Sequence, residues 1–246
     1  MKLINDDLTA IPEETLLHRI LFYLSIPMML TALYLAFIYT PVEKVMGVVQ
    51  KIFYFHVASA WVAFFAFFIV AVFSIMYLVK RKRIYDVYAG ISAEIGVVYT
   101  AIVLTTGPIW GRSAWNAWWS WEPRLTTTLI LFFMYIAYIM IRHMDVAWEK
   151  KARFASVFGI ISFINVPIVF MSIRWWNSTL HPVVMGEGGA NESGGGLEPS
   201  MLFALIFTVF TMTVLYFVLL QKGVYIERLK IQAERLKEKF QEKLAG

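Results

Sequence analysis

The chain has 246 residues, of which 59% are hydrophobic, and a mean hydropathy of +0.65, too apolar for a water-soluble domain of this size. Its net charge of +5 calls for no nucleic acid, because the cations fall unevenly between the loops and so report membrane orientation. With no cysteine, the chain forms no disulfide, no thiolate metal site and no covalent CxxCH attachment.

Six apolar segments have the length needed to cross a bilayer core, which takes ~20 helical residues. They run over 19–39, 52–79, 87–107, 124–142, 154–172 and 200–220. The expected fold is all-α, a single six-helix membrane domain over 1–220 with a charged cytoplasmic helix over 221–246. Two outer loops are expected, one tryptophan-rich at about 108–124 and one glycine-rich at about 174–199. The opening MKLINDDLTA has two aspartates and leads into an apolar segment too long for a signal peptide, so the first span is expected to be retained. With both termini in the cytoplasm, 17 of the 22 lysines and arginines lie inside and the other five outside, as the positive-inside rule demands.

In chain order, Pro12-Glu13-Glu14 reads as a helix start, and His18 sits at the inner membrane edge. After span 1, Val42, Val45, Met46 and Val49 recur at helical spacing, which predicts a segment lying on the outer leaflet. In span 2, His56, Ser59, Ala60, Ala63 and Ala66 share one face, and small residues let helices approach closely. That face should look into the bundle, with His56 about one turn below the outer surface. Glu94 lies two or three turns into span 3, on a face with Gly90, Ala93, Val97 and Ala101. An ionisable group at such depth usually faces protein, as a relay or pathway group or as a packing hydrogen bond. His143 belongs to the charged inner loop after span 4, and Asn165 with Pro167 marks a kink or polar packing site in span 5. Past span 6, Ile226, Leu229, Ala233, Leu236 and Phe240 recur at alternating spacings of three and four, a heptad-like stripe suited to another subunit or to the inner leaflet.

The most improbable stretch is Trp110 to Thr126, WGRSAWNAWWSWEPRLT, which holds five of the nine tryptophans. An interfacial aromatic belt is one reading. Yet the spacing of Trp110, Trp115, Trp118, Trp119 and Trp121 traces no single helical stripe, so some rings must turn from the lipid and offer a stacking platform. Arg112 and Arg124 are then available to acidic groups of a flat ligand. The topology adds His56, Arg174, Trp175, Trp176 and His181 on the same side. Imidazole for iron, tryptophan for a porphyrin face and arginine for propionates together favour haem.

These residues resemble the haem-handling membrane proteins with a tryptophan-rich outer motif, and among them the CcmC family of cytochrome c maturation. The family pattern is approximately WGxxxWxxWWxWDxRLT, with Glu122 here in place of its aspartate. Tyr54-Phe55-His56-Val57 and Trp175-Trp176-Asn177 ahead of Leu180-His181 extend the likeness over nearly the whole chain. The resemblance implies that His56 and His181 are axial ligands of the iron of haem b, presented on the tryptophan surface outside the cytoplasmic membrane. It implies as partners a CcmE-like haem chaperone and the ABC-type subunits CcmA, CcmB and a CcmD-like chain. It also implies a delivery protein rather than an enzyme or motor, and the chain has no GxxxxGK[ST] loop. Two rival readings are a haem-translocating permease, supported by Glu94 and Asn165, and a b-type cytochrome subunit using all four histidines.

Overall fold

The computed structural model describes residues 14–44, 46–176 and 197–245. It is all helical, with no strand among the described residues, and six of its helical segments are long and apolar enough to cross a membrane. Helix α1 spans Leu16–Tyr34 and runs on as a π-helical turn over Leu35–Tyr39. Helices α2 (Ile52–Lys80), α3 (Arg83–Trp115) and α4 (Pro123–Arg142) follow. The fifth span is divided into α5 (Trp148–Phe163) and α6 (Asn165–Trp175), and α7 (Pro199–Ala245) ends the chain. The even number of crossings leaves the start of α1 and the end of α7 at the same end of the bundle, where the inner-loop lysines and arginines gather. We call this the basic end, and the other the tryptophan end.

Lipid tails are as apolar as leucine, so helices in a bilayer associate through close packing and hydrogen bonds rather than through escape from water. Helix α2 is built for this, with Ala58, Ser59, Val62, Ala63, Ala66 and Val70 all buried. Its neighbours are α3, α5 and α7, the α3 contact being the most extensive. Gly96 of α3 makes room for the Phe67 ring, which a Cβ there would overlap. The same ring stacks on Tyr135 of α4 at 3.6 Å between centroids. Ser92 of α3 adds the polar glue, bonding both the Ala66 carbonyl of α2 and the Tyr216 hydroxyl of α7 at 2.8 Å.

Several expectations change. Among the described residues of 42–49, which exclude Val45, there is no surface helix: Gly47 takes a left-handed φ of 63° and only the 3-10 turn Val48–Lys51 follows. Helix α3 does not stop at Gly107-Pro108 but continues to Trp115, a proline inside a membrane helix being tolerated where neighbours satisfy the freed carbonyl. Glu94 does not face protein: Ala93 and Val97 are buried, but Glu94 falls at the edge of their stripe and is exposed on the side of the bundle. Asn165 is a packing site, its amide donating to the Thr127 carbonyl of α4 at 3.0 Å, and the regular α-helical pattern is interrupted just before it at Ile164, whose backbone stays right-handed helical.

At the basic end, Arg142 of α4 grips Asp86 of α3 with both guanidinium nitrogens, at 2.5 and 3.2 Å. Gly90 admits the guanidinium, and the Tyr138 ring lies 5.9 Å from it. Glu14 pairs with Lys222 of α7, whose ammonium holds the Glu14 carboxyl below its usual range. The Asp86–Arg142 pair yields a test, because removing one partner strands a buried charge whereas removing both does not. Asp86→Ala should cost about 3 kcal/mol in detergent unfolding, and Asp86→Leu combined with Arg142→Met should recover most of it.

Candidate functional site

His56 lies in the second turn of α2, half-buried, facing α3. Its Nδ1 meets the Thr106 hydroxyl at 2.8 Å. That hydroxyl donates its single proton to the Ile102 carbonyl at 2.7 Å, in the i to i−4 pattern of threonine in a helix. With its proton on that carbonyl, the hydroxyl accepts from His56 Nδ1–H, the tautomer in which Nε2 carries the lone pair. Gly107 sits against the same ring, where a Cβ would stand 3.4 Å from Cε1.

One turn beyond Thr106 begins the tryptophan stretch, and its first part is helical. Trp110 is buried and Trp115 is the last residue of α3. Asn116 ends the helix in the left-handed conformation, with φ 58°. Arg112 turns back to this terminus, donating to the Asn116 carbonyl at 2.8 Å and to its Oδ1 at 2.5 Å. Part of its donor capacity thus caps its own helix rather than pointing outward. In the connection to α4, Trp118 and Trp121 are 61% and 76% exposed, an extent that leaves indole faces open to a ligand or to lipid headgroups. Trp119 is half-buried and meets Trp121 edge to face at 5.7 Å.

Glu122 occupies the N-cap position of α4, with Pro123 at the first helical position, where a missing N–H costs least. Arg124 is half-buried, and its charged neighbours are Glu122 and Arg174 of α6. The Arg174 guanidinium is thus near enough to Arg124 for their charges to interact, and it lies 5.4 Å from the Phe170 ring. Trp119 Nε1, Ser120 Oγ and Thr126 Oγ1 are buried without a hydrogen-bond partner among the described residues. A buried polar group left unpaired costs about 1–3 kcal/mol, and three of them fall within the eight positions 119–126.

The structure thus joins His56 to the helix that leads into the tryptophan stretch, and Arg124 to Arg174. His181 and its surroundings lie outside the described residues. Thr106 and Gly107 escape a reading of the sequence, for nothing in a Thr-Thr-Gly-Pro string says that its second threonine faces a histidine fifty residues earlier. The other described histidines are at the basic end, where each serves a helix terminus. His18 Nδ1 accepts from the Thr15 N–H at 3.4 Å, and His143 Nδ1 donates to the Ile139 carbonyl at 2.9 Å.

Fold and site together define a multi-pass helical membrane protein with an imidazole, an aromatic cluster and paired cations at one end. The chain belongs to the CcmC family, described as heme exporter protein C, whose model matches residues 8–239. Among similar curated proteins, the heme exporter protein C of Bradyrhizobium diazoefficiens is 35% identical over 70% of this chain and 66% of its own length. That of Escherichia coli K12 is 31% identical over 70% of this chain and 67% of its own. A ccmC-like mitochondrial protein of Marchantia polymorpha, putatively named for cytochrome c biosynthesis, is 31% identical over 76% of this chain and 79% of its own. This chain therefore spans about two thirds of the length of the bacterial relatives.

The Thr106 hydroxyl makes a prediction about His56 alone. Nitrogen NMR of histidine-labelled protein should show the Nδ1–H tautomer at His56, and Thr106→Val should shift it to a mixture or to Nε2–H, the form favoured by free imidazole in water.

Proposed function

We propose that this chain handles haem for cytochrome c maturation, binding it non-covalently as haem b at the outer face of the cytoplasmic membrane and presenting it to a CcmE-like chaperone. Haem supplies an iron with two axial positions, two flat faces and two propionates. His56 offers Nε2 to one axial position and His181 serves the other. Trp115, Trp118, Trp119 and Trp121 make the stacking surface with the buried Trp110 behind them, while Arg124, with Arg174 near it and Arg112 at the end of α3, meets the propionates.

The observation that carries this reading is the Thr106–His56 hydrogen bond, because a metal-binding imidazole needs its other nitrogen held by an acceptor. The unpartnered Trp119, Ser120 and Thr126 atoms further along the same connection add support. So does membership of a family whose relatives are named as haem exporters. The family also favours assembly with ABC-type subunits, the CcmA, CcmB and CcmD-like chains.

The two rival readings draw less support. A permease would use Glu94 and Asn165 to line a route, but Glu94 looks outward and Asn165 is spent on the Thr127 carbonyl. A cytochrome subunit with two haems would need His18 and His143, which hold helix ends.

The test is the visible spectrum of the detergent-purified protein. Wild type should show six-coordinate haem, and His56→Ala and His181→Ala should each lower haem occupancy about tenfold or change the coordination, with His18→Ala unaltered. A haem-free wild type from haem-replete cells would sink the proposal.

A further inference from the structure

Helix α7 is unbroken from Pro199 to Ala245, 47 residues or ~70 Å, against a bilayer core of ~30 Å. Its last two dozen residues therefore continue past the bilayer core in the direction of the span, the first half of them still packed beside the start of α3. At ~100° per residue, Val224, Arg228, Ile231 and Arg235 fall on one side of this extension. Val224 and Ile231 are buried in the main core, and Arg235 lies close enough to act on Arg83 of α3. The side facing away from the bundle bears the heptad-like stripe, and Ile226, Leu229, Ala233, Leu236, Phe240 and Leu244 are all exposed there.

The charges around that stripe are sorted. By the same helical arithmetic Lys230 and Lys237 border it on one edge and Lys239 and Lys243 on the other, whereas Glu227, Glu234, Glu238 and Glu242 all project from the remaining half. Of the four lysines, Lys230 reaches towards its own helix's Glu227, at 3.7 Å. An apolar seam with lysine on both edges selects its occupant. A second copy, parallel or antiparallel, would set lysine rows against lysine rows, an arrangement that coiled coils avoid. The inner leaflet would require the helix to bend flat near Lys222, where it is continuous and packs Gly223 against Ile91 of α3.

We propose that this face of α7 is a docking surface for an amphipathic helix of another, water-exposed protein, one whose own apolar stripe is bordered by aspartate and glutamate. Apolar residues of the two helices interlock, and the acidic borders meet Lys230, Lys237, Lys239 and Lys243. This site is at the end of the bundle opposite His56, so it stands or falls independently of haem binding.

The full chain in nanodiscs is titrated with two labelled helical peptides of about four heptads, identical in a leucine and isoleucine seam but bordered by glutamate in one and lysine in the other. The glutamate peptide should bind at least about tenfold more tightly, with the preference shrinking at high salt. Leu236→Asp with Phe240→Asp should abolish binding, and Lys237→Glu with Lys239→Glu should reverse the preference; circular dichroism confirms that these exposed positions leave the helix intact. Equal affinity for both peptides, or binding that survives Leu236→Asp with Phe240→Asp, would overturn the proposal. So would dimers that the same pair of substitutions separates. The chain has no cysteine, so a single spin label at Leu236→Cys reads the remaining outcome: a label buried in lipid would assign the seam to the bilayer and refute the docking site.

Discussion

The closeness of α2 and α3 is the constraint on which the rest depends. A bilayer offers two helices no gain from hiding apolar surface, so they adhere only as far as their backbones can approach. Ala58, Ser59, Ala63 and Ala66 on one side and Gly96 on the other permit that approach. Phe67, lodged against Gly96 and stacked on Tyr135, fixes the register. Three turns along, the same register sets His56 beside Thr106, so a choice of small side chains in mid-membrane decides which group holds the imidazole near the surface.

The tryptophan end is divided between rigid and less regular structure. Trp110, Arg112 and Trp115 ride on α3, which passes through Pro108 without ending, and Trp118, Trp119 and Trp121 stand in the connection. The proposed haem surface therefore has one wall whose position is set by the helix that also holds Thr106, and another whose position is set by the entry to α4. Glu122 and Pro123 define that entry, and Arg124 follows them immediately.

Much of this was legible in the sequence. The six spans and the inward face of His56 follow from hydropathy, periodicity and residue size, and the packing site at Asn165 from a polar residue beside Pro167 in mid-membrane, because these are local properties of a helix. Three features were not legible for a common reason. The reach of α3 past Pro108, the outward turn of Glu94 and the pairing of Thr106 with His56 each depend on which neighbour occupies a given side, and that is decided between helices. The Asp86–Arg142 pair is of the same kind, a contact across 56 positions that no spacing rule announces.

The division of the fifth span at Ile164 has a geometrical consequence. Asn165 anchors the start of α6 to the Thr127 carbonyl, and Arg174 stands nine positions further along, ~14 Å away. The segment is thus a short arm with its fulcrum in mid-membrane: a tilt of about 5° at Asn165 displaces the guanidinium end by ~1 Å, the scale on which a hydrogen bond is made or lost. Because α5 ends before the fulcrum, such an adjustment leaves Gly159 and its contact with Tyr138 undisturbed.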